Sequence, residues 1–302
     1  MPIDLSAASA FLNTHARLLD RRRFQHLVGE GNPEATLAAL AGYRNPDGGF
    51  GWGLEPDLRS PESQTGPALH AFEVFADVAP VTSPDAAELC DWLASVTLPD
   101  GGIPFALPVT DPAGCAPFWV NADPNVSSLQ ISAIVAENAH RVAAHDPAVA
   151  KHSWLARITE YCFAAIRDFE SHARDREGQP LAMVLAFATR FLDAAHETHP
   201  EAVDLLELLR RYIPETGIMH VEGGAEDEFM RPLDFAPLPG GPARELFTPA
   251  VIEAALRRLA ERQQADGGWS VDFASYSSAA TLEWRGYATV GAVSILRRNG
   301  LA

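Results

Sequence analysis

Apolar residues along this chain recur with the spacing of helices. Between residues 5 and 20 they fall three and four positions apart, which places Leu5 and Leu12 on one face of a predicted helix. Apolar and polar residues alternate, as is typical of strands, only in short stretches near 103–109 and 217–221. The pattern therefore predicts an all-α protein.

Three of the predicted helices share both a beginning and an end. Helices 33–43, 84–96 and 248–264 each start with a capping residue followed by proline, and each runs into Asp-Gly-Gly and a large apolar residue. The three motifs are Asp47-Gly48-Gly49-Phe50, Asp100-Gly101-Gly102-Ile103 and Asp266-Gly267-Gly268-Trp269. Consecutive glycines permit the positive φ angles with which a helix ends and the chain reverses. Three copies indicate a helical repeat, and Pro214–Ile218 is a degenerate fourth copy.

A second, more evenly apolar helix follows each loop. These helices, 65–78, 126–143 and 284–298, are rich in small residues, which suits an inner layer wrapped by outer helices. Segments 150–170 and 178–196 form a further pair without the glycines. No change of composition divides the chain, so we expect residues 1–302 to form a single (α/α) toroid of about five to six helix pairs.

Charge and motifs exclude several classes of function. The chain has 302 residues, with 23 Lys and Arg against 40 Asp and Glu, and a formal charge of −17. This balance argues against nucleic acid and polyanionic ligands. Three scattered cysteines do not form a disulfide framework. No metal-binding histidine spacing, phosphate-binding loop or dinucleotide motif occurs, so no metal or cofactor is expected. No signal peptide or membrane span is predicted, which indicates a cytoplasmic protein whose oligomeric state stays open.

The repeated loops resemble those of a known superfamily. Segments Arg44–Trp52, Leu98–Phe105 and Gln263–Trp269 are similar to the Gln-Trp motifs of squalene–hopene and oxidosqualene cyclases and to the repeats of protein prenyltransferase β subunits. The resemblance implies an (α/α) toroid with a cavity for an isoprenoid. The chain also looks like bacterial proteins of unassigned activity that share its Gly-Leu-Glu-Pro-Asp and Arg-Pro-Leu-Asp-Phe-Ala-Pro segments.

The chain departs from both families at the catalytic motifs. It lacks the Asp-x-Asp-Asp motif that supplies the acid in class II terpenoid cyclases. Prenyltransferases hold zinc with an Asp, a Cys and a His, and here Asp111 and Cys115 have no histidine in a matching place. The resemblance therefore implies the fold more specifically than the activity, because unrelated chemistries share one scaffold.

The loop before helix 65–78 holds the first candidate site. Glu55 and Asp57 stand two residues apart beside Trp52, and such a pair can contain one carboxyl with a raised pKa. A protonated carboxyl in an apolar pocket is what protonation of an alkene or epoxide requires. Alternatively, both carboxylates cap helices. His70, on the inner helix, faces the cavity or is a hydrogen-bonded core residue.

Two further candidates lie on later loops. The long insertion 214–246 contains Arg231, Asp234 and Phe235 between prolines, and long loops are often functional lids. The alternative is a loop held by an Arg231–Asp234 salt bridge. Before helix 126–143, Trp119 and Asp123 occupy places that parallel the first candidate, although Asp123 could simply cap a helix.

The last candidate opens the final inner helix. Trp284 and Tyr287 could stabilise a carbocation through their ring faces, and Arg285 could hold a phosphate or carboxylate. The alternative is ordinary packing of a bulky helix start.

Together these features favour a terpenoid-cyclase-like enzyme. Its substrate would be a small, apolar, isoprenoid-like molecule held in an aromatic-lined cavity, with Glu55, Asp57, Asp123 or Asp234 as the acid. Two alternatives remain open at this point: a carbohydrate-active (α/α) barrel with two facing carboxylates, and a non-catalytic binding scaffold that kept the fold.

Overall fold

The protein is a ring of helices in two layers. The computed structural model describes residues 3–173, residue 179 and residues 181–302. Within these residues the ring has six outer and six inner helices. The outer helices are α1 (Leu5–His15), α3 (Pro33–Ala41), α5 (Pro84–Val96), α9 (Ser153–Arg167), α12 (Glu201–Arg210) and α14 (Pro249–Glu261). The inner helices are α2 (Leu18–Leu27), α4 (Thr65–Asp77), α7 (Leu129–Ala143), α11 (Ala182–Ala195), α13 (Pro232–Phe235) and α15 (Ser278–Arg298).

Short elements connect these layers. They are α6 (Pro117–Val120), α8 (Pro147–Ala150), α10 (Phe169–His172), a 3₁₀ helix (Pro242–Leu246) and the antiparallel strands β1 (Met219–His220) and β2 (Phe229–Met230). Helix α2 packs on α4, α4 on α7, α7 on α11 and α11 on α13, while α15 returns to α2. Burial separates the layers, since twelve of fifteen residues are buried in α7 but only two of thirteen in α14. The predicted all-α toroid is confirmed.

Several helices begin or end at residues other than those predicted from the sequence. The helix predicted over 5–20 is two helices, because α1 ends at His15 and the chain turns through Ala16 and Arg17. The Arg17 guanidinium holds this turn by binding Asp20 and the carbonyl of Leu54. Helix 150–170 divides into α9 and α10, α7 begins at Leu129, and α15 begins at Ser278. Residue 178, the predicted start of the next helix, lies outside the described residues. The stretch 103–109 forms only an isolated bridge, Pro104 to Ser127.

The three Asp-Gly-Gly loops have one geometry. The first glycine has a positive φ in each, 88° at Gly48, 97° at Gly101 and 92° at Gly267. The aspartate side chain accepts a hydrogen bond from the N–H of the second glycine. These bonds measure 2.9 Å for Asp47–Gly49, 3.1 Å for Asp100–Gly102 and 3.1 Å for Asp266–Gly268. The following Phe50, Ile103 and Trp269 are buried, as expected for residues that anchor the turn.

Each loop also rests on the next outer helix around the ring. A Cβ atom placed on the first glycine would lie 3.0 Å from the Glu88 carbonyl oxygen of α5, 3.3 Å from that of Arg157 in α9, or 2.2 Å from that of Ala7 in α1. The last contact closes the ring, where Gln263 exchanges two 2.8 Å hydrogen bonds with the backbone of Asp4. Glycine is therefore required at these positions both for the turn and for the close packing of neighbouring units.

We expect Gly267→Ala to destabilise the protein strongly. A positive φ costs an alanine about 1–2 kcal/mol, and the clash with the Ala7 carbonyl adds about 1–3 kcal/mol of overpacking. Gly240→Ala is the matched control, because Gly240 also has a positive φ (86°) but no atom lies within 4 Å of the place that the added methyl group would take. Urea unfolding of both variants measures the difference, and equal losses of stability would show that the contact with α1 has no energetic weight.

Candidate active site at the centre of the ring

The loop carrying Glu55 and Asp57 is buried at the start of α4, against the start of α15. Asp57 accepts two hydrogen bonds, from the Trp284 indole N–H at 2.7 Å and from the Tyr276 backbone N–H at 3.0 Å. Its own N–H donates to Glu55 Oε1 at 3.0 Å. Burial raises the pKa of Asp57, and the two N–H donors oppose that shift. The structure thus brings together three of the residues that the sequence proposes, Glu55, Asp57 and Trp284.

His70 lies deeper on α4, between two carboxylates. Its Nε2 is 2.9 Å from Glu55 Oε2 and its Nδ1 is 3.1 Å from Glu73 Oε2. Burial alone would lower the pKa of His70, but the hydrogen bonds and charges of Glu55 and Glu73 outweigh it and raise the pKa to about 9. Burial would raise the pKa of Glu73, yet His70 and Arg23 hold it at about 2. An imidazolium between two carboxylates is therefore the stable state near neutral pH.

Aromatic rings enclose this imidazolium on the α15 side. The His70 ring centre lies 6.0 Å from that of Trp284 and 5.2 Å from that of Tyr287, edge to face in both cases. The Tyr287 hydroxyl donates to Glu73 Oε1 at 2.7 Å. Burial and the adjacent Glu73 charge raise the pKa of Tyr287 well above its usual value, so the phenol stays protonated.

One charged or polar side chain from each inner helix belongs to a network that includes Glu73. We call these six residues the central layer: Arg23 of α2, Glu73 of α4, Glu137 of α7, Arg190 of α11, Asp234 of α13 and Tyr287 of α15. Glu73, Glu137 and Arg190 are each the ninth residue of their helix, about 12 Å along the axis from its start. The charges of Glu73 and Glu137 both act on Arg190, as does Tyr287, and Arg190 acts on Asp234. The centre is thus charged at this depth, where the sequence predicts an apolar lining.

Two members of the central layer keep accessible surface. Asp234 is exposed, and the Arg190 side chain retains 21% of its surface. Burial raises the pKa of Asp234, and the Arg231 backbone N–H donates to its Oδ2 at 2.7 Å. Asp234 Oδ1 has no hydrogen-bond partner among the described residues.

Three of the proposed residues lie away from this centre. Trp52 is 58% exposed and its indole N–H donates to Asn45, so it covers the outside of the first loop. Arg285 binds Asp266 at 2.8 Å and lies 4.4 Å over the Phe11 ring, where it fastens the last Asp-Gly-Gly loop to α1. Asp123 is exposed and accepts the N–H of Asn125 in a local turn, but it caps no helix, because α7 begins at Leu129 with Ser128 as its cap.

Trp119, Arg231 and Phe235 have packing roles. Trp119 stacks on Phe105 at 4.5 Å and lies against Gly66 at the start of α4. Phe235 is fully buried beside Phe247. The salt bridge between Arg231 and Asp234 does not form, because the Arg231 guanidinium points toward Asp272, 3.9 Å away. Arg231 contacts Asp234 through its backbone N–H instead.

Sequence reasoning missed Arg23, Glu73, Glu137 and Arg190. A partial signal existed, because Glu137 and Arg190 lie within mostly apolar helices that each contain one further charged residue, Arg141 in α7 and Asp193 in α11. The central layer is separate from a cavity of about 680 Å³ on the outside of the ring between α14 and the 3₁₀ helix, which none of its side chains lines. In residues 3–173, 179 and 181–302, no group of three His, Cys, Asp or Glu is arranged to hold a metal ion.

We expect His70 to titrate near pH 9 in the folded protein, as measured from its imidazole protons by NMR. The folded pKa exceeds the unfolded value of 6.5, so its stabilisation is complete below pH 6.5 and is lost as the pH rises through about 9. Thermal unfolding should therefore show less loss of stability over this range in His70→Gln than in the unaltered protein. A His70 pKa close to 6.5 would mean that Glu55 and Glu73 do not hold the imidazolium.

Of three comparisons with known proteins, only the one with solved structures finds matches. No model of a protein family matches the sequence, and neither does any curated protein. Among the described residues, no helix has the length and apolar character needed to cross a membrane.

Solved structures of the type II terpene cyclase MstE from Scytonema do match. The complex with geranylgeranyl dihydroxybenzoate, its substrate, is 14% identical with a TM-score of 0.52, over 99% of this chain and 97% of that one. The complex with merosterolic acid A, its product, is also 14% identical with a TM-score of 0.50, over 99% and 96%. The apo structure is 13% identical with a TM-score of 0.50, over 99% and 98%. At this identity the likeness shows a shared fold, so the chain has the same helical toroid architecture as that cyclase.

Proposed function

We propose that the protein is an enzyme that acts on an apolar, prenyl-type small molecule by acid catalysis inside the ring. The fold is shared with a type II terpene cyclase whose structure is known in complex with its substrate, geranylgeranyl dihydroxybenzoate. The observation that carries the proposal is Asp234 of the inner helix α13, an accessible carboxyl with a raised pKa whose Oδ1 has no hydrogen-bond partner among the described residues.

Asp234 suits the role of proton donor better than Asp57. Both oxygens of Asp57 already accept N–H groups, so a proton on Asp57 would displace the bond to Tyr276 or to Trp284. In the proposed step, Asp234 gives its proton to one carbon of a substrate double bond. The π electrons form the new C–H bond, the other carbon becomes a tertiary cation, and Asp234 is left as the carboxylate.

The aromatic residues of α15 support the cationic intermediate. Trp284 and Tyr287 lie 5.4 Å apart, edge to face, on the side of the ring nearest to His70. Aromatic faces attract cations without reacting as bases, and each contact is worth about 0.5–2 kcal/mol. Because Glu55 and Glu73 neutralise His70, the imidazolium adds little repulsion at this place.

We expect Asp234→Asn to reduce turnover by about 100-fold to 10,000-fold, because the amide keeps the hydrogen bond to Arg231 but cannot donate an acidic proton. Turnover is measured by mass spectrometry with geranylgeranyl dihydroxybenzoate and geranylgeraniol as substrates. Asp204→Asn on the exposed face of α12 is the matched control and should retain full activity. Undiminished turnover by Asp234→Asn would remove Asp234 as the acid.

The central layer also favours a second candidate function. Glu73 and Asp234 stand on different inner helices in a polar centre, which suits a hydroxyl-rich ligand and the carbohydrate chemistry of other (α/α) barrels. Hydrolysis of oligosaccharides that depends on both carboxylates, without conversion of isoprenoids, would favour this function. Binding of isoprenoids without any conversion would favour the scaffold alternative.

A further inference from the structure

The cavity of about 680 Å³ on the outside of the ring is a long groove with mostly apolar walls. It follows α14 from Pro249 to Ala260, which is about 16 Å along the helix axis. The apolar side chains that line it are those of Phe247, Pro249, Ile252, Leu256, Ala260 and Leu301. A cavity of this volume is typical of small-molecule sites. The groove therefore offers room for an elongated apolar ligand.

Arg244, on the 3₁₀ helix just before α14, is a cation of this groove without a carboxylate partner. Its Nε donates to the Leu238 carbonyl at 3.2 Å, but its Nη2 is buried and has no hydrogen-bond partner among the described residues. Asp193 acts on the charge of Arg244 without forming a salt bridge, because its Oδ1 accepts the N–H of Ala243 at 2.9 Å. Buried polar groups in folded proteins are nearly always paired, so this guanidinium marks the place of an anionic group.

The other charged residues of the lining do not oppose an anion at Arg244. Glu253 is paired with Arg257, one helical turn further along α14, at 3.0 Å. Glu245 is exposed, and its charge is not among those that act on Arg244. Within the described lining, the groove thus combines apolar walls with a guanidinium that is available to an anionic head group.

We propose that this groove binds a small molecule with an unbranched alkyl chain and a carboxylate, the chemical class of the fatty acids. The carboxylate would accept hydrogen bonds from Arg244, including its unpaired Nη2, and such charge-assisted bonds are the strong ones. The chain would follow α14 over Ile252 and Leu256 toward Ala260, because a linear chain matches an elongated groove. The site lies on the outside of the ring, so it does not depend on the proposed function.

The test compares dodecanoate with dodecyltrimethylammonium by isothermal titration calorimetry, because the two probes share one alkyl chain and carry opposite charges. The formal charge of the protein is −17, so unspecific binding would favour the ammonium. The unaltered protein should instead bind dodecanoate at least about tenfold more tightly, and Arg244→Gln should weaken dodecanoate alone, by about 10-fold to 100-fold. Arg257→Gln is the matched control and should leave the affinity for dodecanoate unchanged, since Arg257 also lines the groove but is paired with Glu253.

A second variant tests where the alkyl chain lies. Ala260 is partly exposed at the far end of the groove, so Ala260→Phe should fill that end without disturbing the core. The variant should weaken dodecanoate by about tenfold or more, because several methylene groups lose their apolar contacts. It should leave the affinity for octanoate unchanged, because the shorter chain does not reach Ala260.

Three results would overturn the inference. The first is equal or tighter binding of the ammonium probe by the unaltered protein, which decides the matter even if Arg244→Gln does not fold. The second is binding of dodecanoate that Ala260→Phe leaves unchanged, since the chain would then lie elsewhere. The third is a dimer in analytical ultracentrifugation that Ala260→Phe disrupts, without binding of dodecanoate, because a second copy of the chain would then cover the groove. All three leave the proposed function of the central layer untouched.

Discussion

The close contact between each Asp-Gly-Gly loop and the next outer helix is the constraint on which the rest of the ring depends. Only glycine can bring the loop backbone against the carbonyl of Glu88, Arg157 or Ala7. The loops at Gly48 and Gly101 precede the inner helices α4 and α7, and Glu73 and Glu137 are each the ninth residue of their helix. Helix α11, which carries Arg190, does not follow an Asp-Gly-Gly loop.

Burying the charged groups of the central layer carries a free-energy cost for folding, and the close partners of these groups reduce that cost. Ionised groups lose several kcal/mol each when they leave water unless close partners replace the solvent. His70 has Glu55 and Glu73, Arg23 has Asp77 and Glu73, and Glu137 has two guanidinium groups. A well-packed apolar centre would be at least as stable as these pairs. Their position at the middle of the ring, where a ligand would lie, is therefore better explained by function than by stability.

The sequence predicts those parts of the structure that depend on local chemistry. The glycine loops, the proline-led helix starts and the pairing of outer with inner helices all follow from short motifs, and they suffice for the toroid. The break between α1 and α2 escapes prediction because the long-range contact of Arg17 with Leu54 produces it, without glycine or proline. Long-range contacts also explain why the site escapes prediction. Asp57 and Trp284 belong to separate motifs, but their hydrogen bond joins residues 227 positions apart. Of the missed members of the central layer, only Glu137 and Arg190 have a signal in the sequence, as charges within mostly apolar helices.

The contacts that close the ring also form part of the candidate site. Asp57 of the second unit binds Trp284 and Tyr276 of the last, and Arg59 pairs with Glu283 at 2.6 Å beside them. These contacts exist only after α15 has packed against α2. Burial against α15 raises the pKa of Asp57, whereas the high pKa of His70 comes from Glu55 and Glu73, which belong to the same unit as His70. We therefore expect a change that loosens the closure of the ring to act on Asp57 even when it lies far from the centre.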